Sequence, residues 1–151
     1  MTSPSRELVQ QVVAQVLEEC AFLCTEQSAA PVTWPAQITR ATLQFSGPRS
    51  GRIELSATRE LTLAIAADML GVDLEDPDVG KLADGALAEL TNVVTGALMA
   101  KLFGTECLCE LGMPVVEHGA PSERLLATTE LTLVDMEGRP IDVRVSLRPP
   151  A

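Results

Sequence analysis

Aromatic residues are scarce in this chain of 151 residues: they make up 3% of it, and tyrosine is absent. Apolar residues still account for 46%, so the chain can bury a core, built mainly from leucine, valine, alanine and isoleucine. No run approaches the ~18 uninterrupted apolar residues of a membrane-spanning helix. The N-terminal sequence MTSPSRELVQQ contains no apolar signal segment. We therefore expect a cytoplasmic protein with no membrane span, folded as a single domain over residues 1–151.

Positive charge is also scarce, with 11 Lys and Arg against 21 Asp and Glu, which gives a net charge of −10. Nucleic-acid binding relies on clustered lysine and arginine that neutralise phosphates, so this composition argues against a nucleic-acid partner. The single histidine, His118, stands beside Gly119 with no partner pattern. It is predicted to lie in a loop.

Four cysteines are present, at Cys20, Cys24, Cys107 and Cys109. In a cytoplasmic protein they are expected to be reduced thiols. A zinc site is the alternative, since the first two would share a helix face and the last two a strand face. The spacings C-x3-C and C-x-C differ from the C-x2-C of zinc knuckles, so we predict core packing and no metal site.

Hydrophobic periodicity and end signals predict three helices and two groups of strands. The first helix is predicted to begin with Ser3 and Pro4 as its N-terminal cap and first residue. The last helix ends at a glycine, Gly104. The predicted helices cover about residues 4–27, 58–70 and 79–103, and the predicted strands about residues 36–46, 52–56, 106–111, 123–134 and 141–147. Helices and hairpin strands in this order predict an α+β fold with a largely antiparallel sheet packed with long helices.

The third helix carries an unusual polar line. Its apolar stripe is predicted to face the core; its members are Leu82, Ala86, Leu87, Leu90, Val93, Val94, Ala97, Leu98 and Lys101. On the opposite side, Gly85, Glu89, Asn92 and Gly96 follow one another at spacings of four, three and four, which places them in a line. An interior glycine costs a helix ~1 kcal/mol relative to alanine. Two on one line indicate either close packing within the protein or the approach of a partner to the helix backbone.

Glu89 and Asn92 together offer a specific chemistry. The pair lacks a nucleophile and does not form a carboxylate cluster for a metal. An amide both donates and accepts hydrogen bonds, so it can orient a water for in-line attack, as a glutamine does in GTPases. A carboxylate can pair with a lysine of a partner. The two side chains therefore suit insertion into another protein's active site, with an ordinary solvated helix face as the alternative.

Residues 88–96, AELTNVVTG, resemble the E-L-x-N-x-x-x-G helix of the CheC/CheX/FliY chemotaxis phosphatase family. Residues 55–71 resemble the family's preceding strand and helix, and residues 109–119, with Pro114, its following strand-then-proline segment. The resemblance covers about residues 36–147. The first helix has no second E-x-x-N, so the single motif fits the CheX-like branch, whose members are typically dimers. Gly85 stands where the family often has Asp or Ser, and Asp84 is adjacent.

The resemblance implies a phosphatase that dephosphorylates a phospho-aspartyl response regulator of the CheY type. By this resemblance Glu89 pairs with the active-site lysine of the regulator, and Asn92 positions the water that attacks the aspartyl phosphate. Gly85 and Gly96 would be partner-binding positions. The regulator would hold Mg²⁺, so this chain is expected to bind no cofactor. A cytoplasmic homodimer is expected.

Two other functions stay open. One is a non-catalytic CheX-like adaptor that docks on a receiver domain, and the other is a structural dimer with the glycine line as its subunit contact. Exposure of Glu89 and Asn92 is required by the phosphatase hypothesis, and burial of either one in the core would contradict it.

Overall fold

The computed structural model describes residues 4–148, in which helices and strands alternate in groups. The helices are α1 (Arg6–Ala21), α2 (Arg59–Leu70) and α3 (Val79–Phe103), with a short 3-10 turn at Pro121–Glu123. The strands are β1 (Thr25–Gln27), β2 (Ile38–Ser46), β3 (Gly51–Ala57), β4 (Glu110–Leu111), β5 (Val115–Gly119), β6 (Thr129–Asp135) and β7 (Pro140–Leu147).

The strands form one antiparallel sheet in the order β1-β6-β7-β3-β2, with β4 and β5 both paired to the far side of β2. One face of this sheet packs against the three helices, and the core between them is almost entirely aliphatic. The predicted α+β fold with a largely antiparallel sheet is confirmed.

The ends of α2 and α3 follow their local signals. The Thr58 side chain accepts a hydrogen bond from the Leu61 amide at 3.2 Å and so caps α2. Gly71 ends α2 in the left-handed conformation (φ 66°), which costs glycine little. Gly104 ends α3, also with positive φ (88°). These boundaries were predicted from the sequence and are confirmed.

The predicted bounds of α1 are wrong at both ends. Ser3 lies outside the described residues, and the cap is Ser5, whose hydroxyl accepts from the Leu8 amide at 3.1 Å. Phe22 takes the left-handed conformation (φ 54°) and ends the helix. The next residues form β1, where Thr25 pairs with Asp135 of β6. Sheet pairing at this edge therefore replaces the last predicted helical turn.

The sheet edge beyond β2 also differs from the prediction. The predicted strand at residues 106–111 is reduced to β4, and β5 follows as a separate strand after Pro114. Both run along β2: β4 pairs with Phe45 and Ser46, and β5 pairs with residues 38–42. His118 lies in β5, so its predicted loop position is wrong. A strand predicted from residue 123 begins only at Thr129, after the 3-10 turn.

By length and composition alone, α3 passes as a possible membrane span, the one such helix in the described part of the chain. Core helices meet the same criteria, and ten residues of α3 are buried. Its apolar composition therefore reflects its place in the core and is no evidence for a membrane span.

A buried carboxylate lies on the sheet face that does not carry the helices. Glu54 in β3 is 3% exposed, and its side-chain oxygens accept from the Leu125 amide at 3.2 Å. Burial raises the pKa of Glu54 above the usual 4.5, against the lowering effects of the Leu125 amide and of the Arg40 charge. The folded protein thus holds the proton on Glu54 more firmly than the unfolded chain does.

This pKa shift predicts a pH dependence of stability. Because the folded-state pKa of Glu54 is above its unfolded value, the folded state binds more protons between the two values, and the free energy of unfolding falls as pH rises through that interval. Glu54→Gln removes this contribution. We expect the free energy of unfolding of the variant, measured with denaturant from about pH 4 to about pH 7, to rise relative to that of the wild type.

Glu106→Gln is the matched control, because Glu106 is exposed. The difference in free energy of unfolding between Glu106→Gln and the wild type should stay constant over this pH interval. If the free energies of unfolding of Glu54→Gln and the wild type change with pH in parallel, the pKa of Glu54 is not raised by folding, which would contradict this prediction.

Candidate functional site on the long helix

The inner side of α3 packs into the core. Leu87, Leu90, Val94 and Leu98 are fully buried, as the apolar stripe predicted. The stripe is wrong at its two ends, since Leu82 is 42% exposed and Lys101 is exposed.

Thr91 and Thr95 are buried on α3, which the apolar stripe did not predict. Their hydroxyls donate to the carbonyls of Leu87 and Thr91 at 2.8 and 2.7 Å. Because these bonds satisfy the hydroxyls within the helix, threonine can be buried here without a partner on the sheet. The buried sector of α3 is therefore wider than the apolar residues alone indicate.

The predicted polar line lies on the outer side of α3. Gly85, Glu89 and Gly96 are exposed, and Asn92 is half-buried. Within residues 4–148, the Glu89 and Asn92 side chains have no hydrogen-bond or ion-pair partner. Neither side chain is buried in the core, which would have contradicted the phosphatase hypothesis, and both are available to bind another molecule.

The two glycines of this line are not packing positions. A Cβ atom added at Gly85 or at Gly96 would meet no other atom within 4 Å. The explanation that they allow close packing within the protein is therefore wrong for this fold. They leave two bare stretches of helix surface on either side of Glu89 and Asn92.

A polar contact joins the first half of α3 to the sheet edge. Asp84 Oδ2 lies 2.9 Å from His118 Nε2, and His118 Nδ1 lies 3.3 Å from Thr39 Oγ1. His118 belongs to β5 and Thr39 to β2, so the contact crosses from helix to sheet. It helps to fix α3 at a point five residues before Glu89. No sequence pattern indicates this contact, because Asp84 and His118 are 34 residues apart.

The cysteines do not form the predicted pattern. Cys24 is exposed and follows the end of α1, so it neither shares a helix face with Cys20 nor packs in the core. Cys107 and Cys109 precede β4 instead of sharing a strand face. Cys20 and Cys109 are partly buried against the core. Groups of three or more His, Cys, Asp or Glu that could hold a metal ion are absent from the described residues.

The fold is similar to solved structures of chemotaxis proteins. A chain in the crystal structure of the CheX-CheY-BeF3-Mg²⁺ complex from Borrelia burgdorferi matches with a TM-score of 0.71 and 15% identity, covering 95% of this chain and 97% of that one. CheX from Vibrio vulnificus matches with a TM-score of 0.74 and 17% identity, covering 97% and 100%. At these identities the likeness establishes the fold. A search of curated protein sequences finds no match.

The sequence itself matches a family model. The model described as chemotaxis phosphatase CheX aligns with residues 40–133, which is well over half of the 151 residues and contains Glu89 and Asn92. The aligned part runs from β2 into β6 and so includes the whole of α3. The chain therefore belongs to the CheX family of chemotaxis phosphatases.

Proposed function

We propose that this protein hydrolyses the aspartyl phosphate of a CheY-like response regulator by inserting the outer side of α3 into the active site of the regulator. The observation that carries the proposal is the geometry of Glu89 and Asn92. They lie one turn apart on the outer side of a buried helix, with no partner in residues 4–148 and an open glycine on either side. Family membership and the fold shared with the Borrelia burgdorferi CheX-CheY complex support it.

Each side chain has a separate role. The Glu89 carboxylate is exposed and forms a charge-assisted hydrogen bond with the active-site lysine of the regulator, which fixes the register of docking. The Asn92 amide accepts from and donates to the attacking water and orients it in line with the phosphorus. Mg²⁺ belongs to the regulator, and this chain contributes no cofactor.

The half-burial of Asn92 suits this role. A side chain flanked by its own helix surface has fewer conformations to lose when it enters the partner's site than a fully exposed one. The backbone beneath it is held by fully buried leucines at positions 87 and 90. Asn92 is therefore presented in a narrow range of positions, as water positioning requires.

The proposal extends to the assembly and its place in the cell. The protein acts in the cytoplasm as a homodimer, with residues 1–151 as one domain. The strands β1 and β5 lie at the edges of the sheet, and an unpaired strand edge can bind the same edge of a second copy.

A non-catalytic adaptor is the second candidate, and the same exposed face supports it. Glu89 can bind a receiver domain whether or not Asn92 then promotes hydrolysis. The two functions differ only in turnover, so they are separated by measuring binding and phosphate release on the same variants.

One prediction of this proposal concerns the side chains of Glu89 and Asn92. With a phosphorylated CheY-like receiver of the same organism, we expect wild type to accelerate phosphate loss and Asn92→Ala to slow this by on the order of 100-fold, because the water is no longer oriented. Binding of Asn92→Ala to the receiver held in its beryllofluoride and Mg²⁺ form should persist. Glu89→Ala should weaken binding about tenfold, the loss of one charge-assisted hydrogen bond.

Glu18→Ala is the matched control, since Glu18 is exposed on α1 and its removal changes the net charge equally. It should behave as wild type. Wild-type turnover by Asn92→Ala would refute water positioning. A receiver that binds and keeps its phosphate in the presence of wild type would favour the adaptor.

The second prediction concerns the open glycines. Gly85→Ala and Gly96→Ala should each raise the free energy of unfolding by ~1 kcal/mol, since the methyl group meets no atom of the protein and alanine favours the helix. If the backbone of a receiver approaches these positions, the same methyl groups should weaken binding and slow dephosphorylation. Denaturant unfolding and the phosphate-release assay measure the two effects on the same samples.

If Gly85→Ala and Gly96→Ala are more stable and dephosphorylate the receiver as fast as the wild type, the glycines take no part in docking. A fall in dimer affinity without a change in receiver binding, measured by sedimentation, would instead indicate that the glycine line is a subunit contact.

A further inference from the structure

The segment between α3 and β4 brings two thiols into contact. Cys107 and Cys109 are free cysteines, both half-buried, and their sulfur atoms lie 2.7 Å apart. The Cys107 amide donates to the Gly104 carbonyl at 3.3 Å, so the segment is folded back toward the end of the helix. The proposed function uses neither sulfur.

We propose that Cys107 and Cys109 are a site of reversible oxidation, at which hydrogen peroxide or an organic hydroperoxide converts the two thiols to an intramolecular disulfide. The sulfurs already touch, so the bond needs only a short further approach of two side chains that belong to one short segment. Partial exposure of both residues gives a small oxidant access.

The two thiols are not equivalent. The hydrogen bond with Cys107, followed by burial and by the charge on Cys107, raises the pKa of Cys109 to about 11. Cys109 therefore keeps its proton at neutral pH, and either sulfur can be the donor in the contact between the two residues. Since the thiolate is the nucleophile and the raised pKa disfavours a Cys109 thiolate, the proposal has Cys107 attack first and Cys109 act as the resolving thiol, an order that the variants below test.

The reaction balances with one hydroperoxide. The Cys107 thiolate attacks the peroxide oxygen, the O–O bond breaks, and a sulfenic acid forms while hydroxide leaves and takes up a proton as water. The Cys109 sulfur then attacks the Cys107 sulfur, its proton passes to the leaving oxygen, and a second water leaves. Two thiols are oxidised by two electrons, and the peroxide is reduced to two waters or, for an organic hydroperoxide, to an alcohol and one water.

The disulfide would change the local packing of this segment and would contribute little to the stability of the whole fold. The loop that it closes is so short that it constrains the unfolded chain little, and the stabilisation from chain entropy is small. The Cys109 sulfur packs against the turn between β2 and β3, where a Cβ at Gly47 would lie only 2.9 Å from it. Oxidation therefore alters the packing of the segment on this turn. The polar line of α3 ends at Gly96, so this site and the proposed function stand or fall separately.

The experiment is oxidation of the full chain followed by peptide mass analysis. The protein is treated with limiting hydrogen peroxide, alkylated with iodoacetamide and cleaved after lysine and arginine. The peptide of residues 102–124 contains Cys107 and Cys109, and the peptide of residues 7–40 contains Cys20 and Cys24. We expect the first to be two hydrogen atoms lighter and unalkylated, and to recover two alkyl groups when a thiol reductant precedes alkylation. The second should carry two alkyl groups throughout.

Two variants test the order of attack. In Cys109→Ser, peroxide should leave Cys107 as a sulfenic acid that dimedone traps. In Cys107→Ser, Cys109 should stay reduced and be alkylated. Exposed Met113 lies in the same peptide, and its oxidation adds an oxygen, which mass distinguishes from loss of hydrogen. Two alkyl groups on residues 102–124 at peroxide levels that already oxidise Cys24 would overturn the proposal.

Discussion

Burial of the inner side of α3 is the constraint on which the rest of the structure depends. Leu87, Leu90 and Val94 are fully buried between α1, α2 and the sheet. Rotating the helix to move Glu89 or Asn92 would bring these side chains toward water, at roughly 1.5–3 kcal/mol for each. The core therefore sets the direction in which the polar line points, and the site residues need no internal partner to hold them.

The outer side of α3 contributes little to stability. Its two glycines disfavour the helix by ~1 kcal/mol each relative to alanine, and its carboxylate and amide make no hydrogen bond or ion pair within the described residues. Residues that stabilise the helix poorly, namely the two glycines and also Glu89 and Asn92, which have no such partner in residues 4–148, therefore lie together on one line at regular spacing. Several destabilising residues on one helix face are typical of a surface retained for binding. Selection for stability alone would have replaced them.

Local signals explain which parts of the fold the sequence predicted. Helix-end signals and helical periodicity are read within a few residues, so the bounds of α2 and α3 and the outward direction of the line from Gly85 to Gly96 were predicted correctly. The end of α1 and strand β5 depend on pairing with β6 and β2, which are distant in sequence. The contact of His118 with Asp84 depends on β5 being present at all, so no local pattern could have indicated it.

Glu89 and Asn92 do not form a complete active site by themselves. Their effect therefore depends on how accurately α3 positions them. One carboxylate and one amide supply neither a nucleophile nor a cradle for phosphate, so under the proposed function every reacting group except the orienting amide comes from the bound regulator. An amide that only orients a water works through distance and angle, where an error of about 1 Å costs on the order of 100-fold in rate. If the proposed function holds, we expect residues that set the rotation of α3, such as Leu90 beneath the line or Asp84 at the sheet edge, to influence hydrolysis without touching the partner. The proposed function therefore depends on how the helix is packed as much as on which side chains it presents.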